Sequence, residues 1–259
     1  MFKLNRSLQR KFDLLYLLTY KEITLKYKRT VLGIFWSLLN PIFSALVFMV
    51  AFKIFMRFKI ENYTFFLLSA LFPWNWFLSS ITISARSLVD NVTLIKKVIF
   101  PRQYLIISVI LAQLVHLFFS MPILFVFSLY SNHGISFLAW GIGIPLIILI
   151  QFVFTFGVSL IISISNTFYR DIEYLIAVLI NLAFWMTPIT YPMSSIPEKF
   201  RSLFLLNPLT SIMSVWRGLL FENKILWDYL FIALGIAIAL LTLGTMIFKK
   251  MEKRLDEVL

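Results

Sequence analysis

An all-α integral membrane protein with six transmembrane helices per protomer is the fold class this sequence predicts, on three observations. Of 259 residues, 60% are hydrophobic and 14% are charged, against about 45–50% and about 25% in soluble domains. Six apolar runs come close to the roughly 20 residues that a bilayer-crossing helix needs. Lys and Arg crowd into alternate connections between those runs. There is no cysteine and there are two histidines, which excludes disulfides, thiolate metal sites and cysteine nucleophiles and leaves no metal centre expected. A formal charge of +12 in such a chain orients loops rather than binding nucleic acid.

The expected organisation is a cytoplasmic amphipathic segment at 1–31, a six-span domain at 32–248 and a cytoplasmic tail at 249–259. In the first segment Leu4, Leu8, Phe12, Leu15 and Leu18 recur at helical spacing, with Arg6, Arg10 and Asp13 on the other side, the pattern of an interfacial helix. Eight basic residues precede the first apolar run, so it is not a cleavable signal peptide. Glu22 precedes Lys26 by four, the favourable order for a helical ion pair. Two readings are open for this helix: an electrostatic anchor to anionic lipid, or in addition a docking surface for a cytoplasmic partner.

The spans are placed at 32–56, 63–84, 104–129, 137–166, 175–190 and 226–248. An even number puts both termini on one side. Seventeen of the 24 Lys and Arg lie in the termini and the second and fourth loops, so that side is cytoplasmic by the positive-inside rule. The twelve acidic residues all fall in connections or at span edges. A proton-coupled carrier keeps a carboxylate at mid-membrane, so the driving energy is expected from elsewhere.

The first span has a small polar face, Gly33, Ser37, Asn40 and Ser44, beside Trp36 and Phe43; the third offers Gln113, His116 and Ser120; the fourth Gln151, Thr155, Ser159, Ser163 and Asn166. Membrane helices use such stripes to pack, and lumen lining is the alternative. Pro41, Pro73, Pro122 and Pro145 lie within apolar runs, where proline frees a carbonyl and kinks a helix. Aromatics make up 17% of the chain. Interfacial belts account for some of them, but not for Phe72, Trp74, Trp76 and Phe77 around Pro73. With Trp36, Asn40, Phe43 and Trp185 these are candidates for lining a channel in which flat rings slide along sugars; filling helix interfaces is the competing role.

The second loop, 86–102, contains a short helix: Asp90 or Asn91 is placed to cap it, Val92, Ile95, Val98 and Ile99 form one apolar face, Lys96 and Lys97 point away, and Pro101 ends it. Such an element can pass force from a partner to two spans; an ordinary basic loop is the alternative. The outer segment 191–225 is apolar and holds Pro192, Pro197 and Pro208. Its halves are too short to span, so a re-entrant pair over an exit is expected, or an interfacial hairpin.

Several stretches together resemble a known family: LKYKRTVLGIFWSLLNP at 25–41, Asn91 with LIKKVIFPR at 94–102, YRDI at 169–172, Asn207-Pro208 and Arg217. They are similar to the type-2 ABC-transporter permeases that export O-antigen, teichoic acid and capsular polysaccharide, over essentially the whole chain. The resemblance implies a homodimer of permeases in the bacterial cytoplasmic (inner) membrane, joined by two copies of a separate ATPase. It also implies a glycan carried on a polyprenyl diphosphate, and a channel between protomers. It makes the N-terminal helix an interface helix, residues 91–98 a cytoplasmic coupling helix and the outer segments re-entrant gate helices. Coupling then falls to Asn91, Leu94, Ile95, Lys96, Lys97 and Val98, with Arg170 and Asp171 fixing the next cytoplasmic loop by local pairing. A lipid diphosphate would call for unpaired cations at the inner surface, for which Lys28, Arg29 and Arg86 are the candidates. The chain lacks G-x-x-x-x-G-K-[ST], so it is not expected to be an enzyme or to hold a cofactor; ATP and Mg would belong to the partner. The competing classes are a drug or lipid exporter on the same scaffold and a membrane enzyme acting on lipid-linked sugars. The enzyme needs an acid/base pair, for which Asp171 with Glu173, Glu198 and Glu222 are the few candidates.

Overall fold

The computed structural model describes residues 6–28, 32–51, 60–130, 135–205 and 207–255. Ten α-helices are described: α1 Arg6–Tyr27, α2 Trp36–Met49, α3 Tyr63–Arg86, α4 Val92–Lys97, α5 Gln103–Tyr130, α6 Ile144–Phe168, α7 Ile172–Trp185, α8 Glu198–Leu205, α9 Pro208–Leu220 and α10 Trp227–Glu252. A wide turn at Ala139–Gly143 runs on into α6 as one helix, and the widened hydrogen bonding immediately precedes Pro145, which has no N–H to give.

Four helices are long and apolar enough to cross a bilayer: Tyr63–Arg86, Gln103–Tyr130, Ala139–Phe168 and Trp227–Glu252. α8 and α9 meet at 101° and could count as a fifth, broken span; a turn that sharp suits a re-entrant pair. Six full-length spans are therefore not found among the described residues. α2 has 14 residues, preceded by a turn at Gly33–Phe35 with Gly33 at φ +50, and the predicted continuation at 52–56 lies outside the described residues. α7 also has 14 residues. It stops at Trp185, not at the expected 190, because Pro188 cannot donate to the Phe184 carbonyl and disfavours helix at Thr187.

Of the four span-length helices α3 is the most enclosed, packed against α2, α5, α6, α7 and α9. Its Pro73 is accommodated inside the helix, as is Pro122 in α5. The polar stripe of α6 faces inward: Gln151, Thr155, Ser159, Ser163 and Asn166 are all buried, as small hydroxylated residues at helix contacts should be. α10 lies along α6. The two backbones meet at Gly157 and Gly244, where an added Cβ would strike the opposite main chain.

α1 packs on α5 through Leu14 and Leu18. Phe12 does not join that face: with Tyr16 and Tyr20 it forms an exposed stripe, the two tyrosine rings stacked at 6.4 Å. α2 (Phe43, Leu46, Val47) and α7 (Leu175, Val178, Leu179, Leu182) also present exposed apolar faces.

Candidate coupling, groove and gate sites

α4 is helical for six residues. Continuation would press the Pro101 ring on the Lys97 carbonyl, so the helix ends there and Val98 is extended at φ −132, ψ 133. The expected apolar face is thereby split. Ile95 is buried and Leu94 is packed against the core, whereas Val98 and Ile99 project outward with Lys96 and Lys97. Asn91 does not cap α4 with its side chain. Its Nδ2 donates to the Ser87 carbonyl at 2.8 Å, and its Oδ1 accepts from Lys21 Nζ of α1.

Arg170 and Asp171 are exposed, and among the described residues they form no ion pair with each other. Asn166 ties this loop instead: its Nδ2 donates to the Ala85 carbonyl at 2.9 Å and its Oδ1 accepts from the Glu173 amide at 3.0 Å. Arg86 is not an unpaired cation either, since it lies 3.6 Å from Asp90 and 3.7 Å from Glu173. Lys28 is exposed at the end of α1, and Arg29 lies outside the described residues.

A second lysine of α1 reaches inward, with Lys26 Nζ donating to Gln113 Oε1 at 2.8 Å. Burial pushes its ammonium down to about 8, because desolvation penalises the charged form. Burial also raises Glu22, with Lys21 opposing the shift.

The channel candidates divide in two. Phe72, Trp74, Trp76 and Phe77 are buried within the helix bundle. Trp76 donates to the Ile110 carbonyl at 3.2 Å, and Trp74 and Phe77 meet each other, Phe184 and Phe154 at centroid distances of 5.5–5.7 Å. Trp36, Phe43 and Trp185 are exposed, and the Asn40 side chain lies outside what is described. Between α2, α3 and α7 runs an open groove of about 340 Å³ walled by Phe48, Trp74 and Phe184, with Ser44, Asn75 and Asn181 as its polar lining. The two asparagines were missed in the sequence; their signal was an amide inside an apolar run, Asn75 between two tryptophans.

At the opposite end, α9 grips the unwound chain after α7. Asn207 caps α9 through the Leu209 amide and donates to the Met186 carbonyl and to Thr187 Oγ1. Arg217 is buried. Its two terminal nitrogens donate to the Pro188 and Ile189 carbonyls, each at 2.8 Å, and its guanidinium carbon lies 3.8 Å from the centre of the Phe66 ring. Tyr63 Oη donates to the Thr190 carbonyl at 2.9 Å. One residue before Arg217, the Trp216 indole donates to Gln151 Oε1 at 2.6 Å, and Gln151 Nε2 donates to the Pro73 carbonyl at 2.9 Å. α9, α6 and the Pro73 turn of α3 thus share one amide.

Residues 13–221 match the ABC-2 type transporter family. Two Klebsiella pneumoniae proteins described as O-antigen export system permease protein RfbA are 40% and 38% identical to the chain, each over 99% of both sequences. A Myxococcus xanthus protein of the same description is 32% identical, again over 99% of both.

Proposed function

The chain belongs to the ABC-2 type transporter family, and from that premise we propose that it is the permease subunit of a polysaccharide exporter. Two copies pair in the bacterial cytoplasmic membrane with both termini inside, and two separate ATPase subunits bind ATP and Mg at the α4 end. The cargo is a glycan on a polyprenyl diphosphate. The observation that carries this reading is the groove between α2, α3 and α7, where ring faces alternate with Ser44, Asn75 and Asn181. Stacking surfaces with a few carboxamides suit a carbohydrate that must slide, because no single contact holds it. The exposed apolar faces of α2 and α7 flank the groove. A second copy applied there would close it into a passage.

α4 suits a coupling role through its exposed Val98 and Ile99 beside two lysines, on a helix anchored by Ile95 and Asn91. Arg86 is held by carboxylates, so Lys28 and Arg29 remain the candidates for the diphosphate. The test is deletion of the gene. Undecorated cell surfaces with lipid-linked polymer accumulating inside, restored by the wild-type gene and not by Asn75→Leu/Asn181→Leu expressed at equal abundance, is the expected result. Normal surface polymer after deletion would reject the glycan reading. A tagged chain that brings down no ATPase would reject the transporter assembly.

A further inference from the structure

Among the described residues, two lysines of α1 are hydrogen-bonded to side chains of different elements. Lys21 donates to Asn91 at the start of α4, and Lys26 donates to Gln113 inside α5. The lysines are five positions apart, about 140° around a helix, so α1, packed along α5, reaches the start of α4 from a different side through Lys21. On the α4 side the tie is closed. Asn91 is buried, its Oδ1 is taken by Lys21 and its Nδ2 by the Ser87 carbonyl. Further inward anchorage of this six-residue helix comes from Ile95 and the partly buried Leu94. A helix so short has little rigidity of its own, and what it is bound to decides what moves with it.

We propose that Lys21 is a positioning residue of the coupling apparatus: by joining α1 to α4 through Asn91, it makes the two helices one moving body. Displacement of α4 is then delivered to α1 and, through Lys26, to α5. This rests on the reading of α4 as the surface that meets the ATPase. Without Lys21 the α4 helix can still be pushed, but α1 no longer follows.

The test uses the complete complex of permease and ATPase in liposomes, with export and ATP hydrolysis measured together. Lys21→Met keeps the aliphatic stem and removes the ammonium; Lys21→Arg restores a charged donor. The expected result is ATP hydrolysis within about twofold of wild type in Lys21→Met but export per ATP reduced about tenfold, the equivalent of one charge-assisted hydrogen bond, with most of it recovered in Lys21→Arg. The absence of native cysteine allows spin labels at Tyr16→Cys and Thr93→Cys, both exposed positions. Their separation should change by less than about 2 Å on ATP binding in the wild-type background and by more in Lys21→Met. Unchanged export per ATP, or an unchanged separation, in Lys21→Met would overturn the proposal. So would equal loss of hydrolysis and export in both variants, which would make Lys21 a residue of assembly only. A wild-type complex with no ATP-dependent export would instead defeat the transporter reading itself.

Discussion

Replacing Gly157 by alanine places a methyl group 2.6 Å from the Leu241 amide nitrogen and 2.7 Å from the Leu240 carbonyl carbon. Both are main-chain atoms of α10 and cannot rotate away. Ordinary contact begins near 3.4 Å, so α6 and α10 must part by about 0.8 Å. A gap of 0.5–1 Å forfeits roughly a quarter to a half of the attraction for every atom pair along the seam, and forced overpacking of this kind costs about 1–3 kcal/mol. Alanine recovers about 0.5–1 kcal/mol over glycine inside a helix, leaving a net loss of up to about 2.5 kcal/mol, about 1 kcal/mol at the midpoints. Gly235 on the same α10 has nothing within 4 Å of its would-be Cβ, so Gly235→Ala keeps only the favourable half, about 0.5–1 kcal/mol. The assay is reversible unfolding of each variant in the same bilayer nanodisc. Gly244→Ala should behave like Gly157→Ala, and the double variant should lose less than the two together, because both open one crossing. Gly157→Ala as stable as Gly235→Ala would refute the interlock.

Three further outcomes are expected. Arg217→Met strips two carbonyls of a charged donor and should cost about 2–4 kcal/mol, with residues 186–190 becoming open to protease in outward-facing vesicles; unchanged cleavage would discount the clamp. Trp76→Ala should lose about 3–5 kcal/mol while Trp36→Ala stays within about 0.5 kcal/mol; equal losses in the nanodisc assay would contradict the division of the aromatics into packed and exposed. Lys26 has a folded pKa near 8 against 10.5 for an ordinary lysine, so its neutral fraction at pH 8 is about a hundredfold larger. Mass spectrometry after brief acetylation over a pH series should find Lys26 modification rising to half its plateau near pH 8. The lowered pKa means the unfolded chain holds more protons between pH 8 and 10.5. Burial of Lys26 therefore opposes folding below pH 8, and that opposition fades as pH rises through this window.

Much of the bundle was legible because membrane helices carry strong linear signals. The 3.6-residue recurrence from Gln151 to Asn166 marked a buried stripe, and apolar length marked α3, α5, α6 and α10. Pro101 and Pro188 were visible too, but each acts one turn upstream of itself, on Lys97 and Phe184, which is why α4 and α7 end earlier than their apolar runs. Hydrophobicity could not sort the aromatics, since lipid is as apolar as a protein core: Trp36 and Trp76 look alike in sequence and differ in surroundings. Ties between distant elements left no spacing to read. Lys21 with Asn91, Arg86 with Glu173 and Arg217 with the Pro188 and Ile189 carbonyls join residues that are 28 to 87 positions apart. The groove amides Asn75 and Asn181 emerged only when α3 and α7 were set side by side.

The unwound chain after α7 sets a chemical condition on any opening at this end of the bundle. Pro188, Ile189 and Thr190 present three carbonyls that no helix satisfies, and Arg217 and Tyr63 supply their donors. Any swing of α9 that withdraws Arg217 leaves two of them bare, at several kcal/mol each in hydrocarbon. Water or a hydroxyl-bearing molecule can take up the vacated lone pairs; an acyl chain cannot. On the proposed reading of this end as the exit, the latch opens at low cost onto hydrated, hydroxyl-rich cargo and at high cost onto bare lipid, which would make the wetness of the exit, and not only its width, a condition for movement through it.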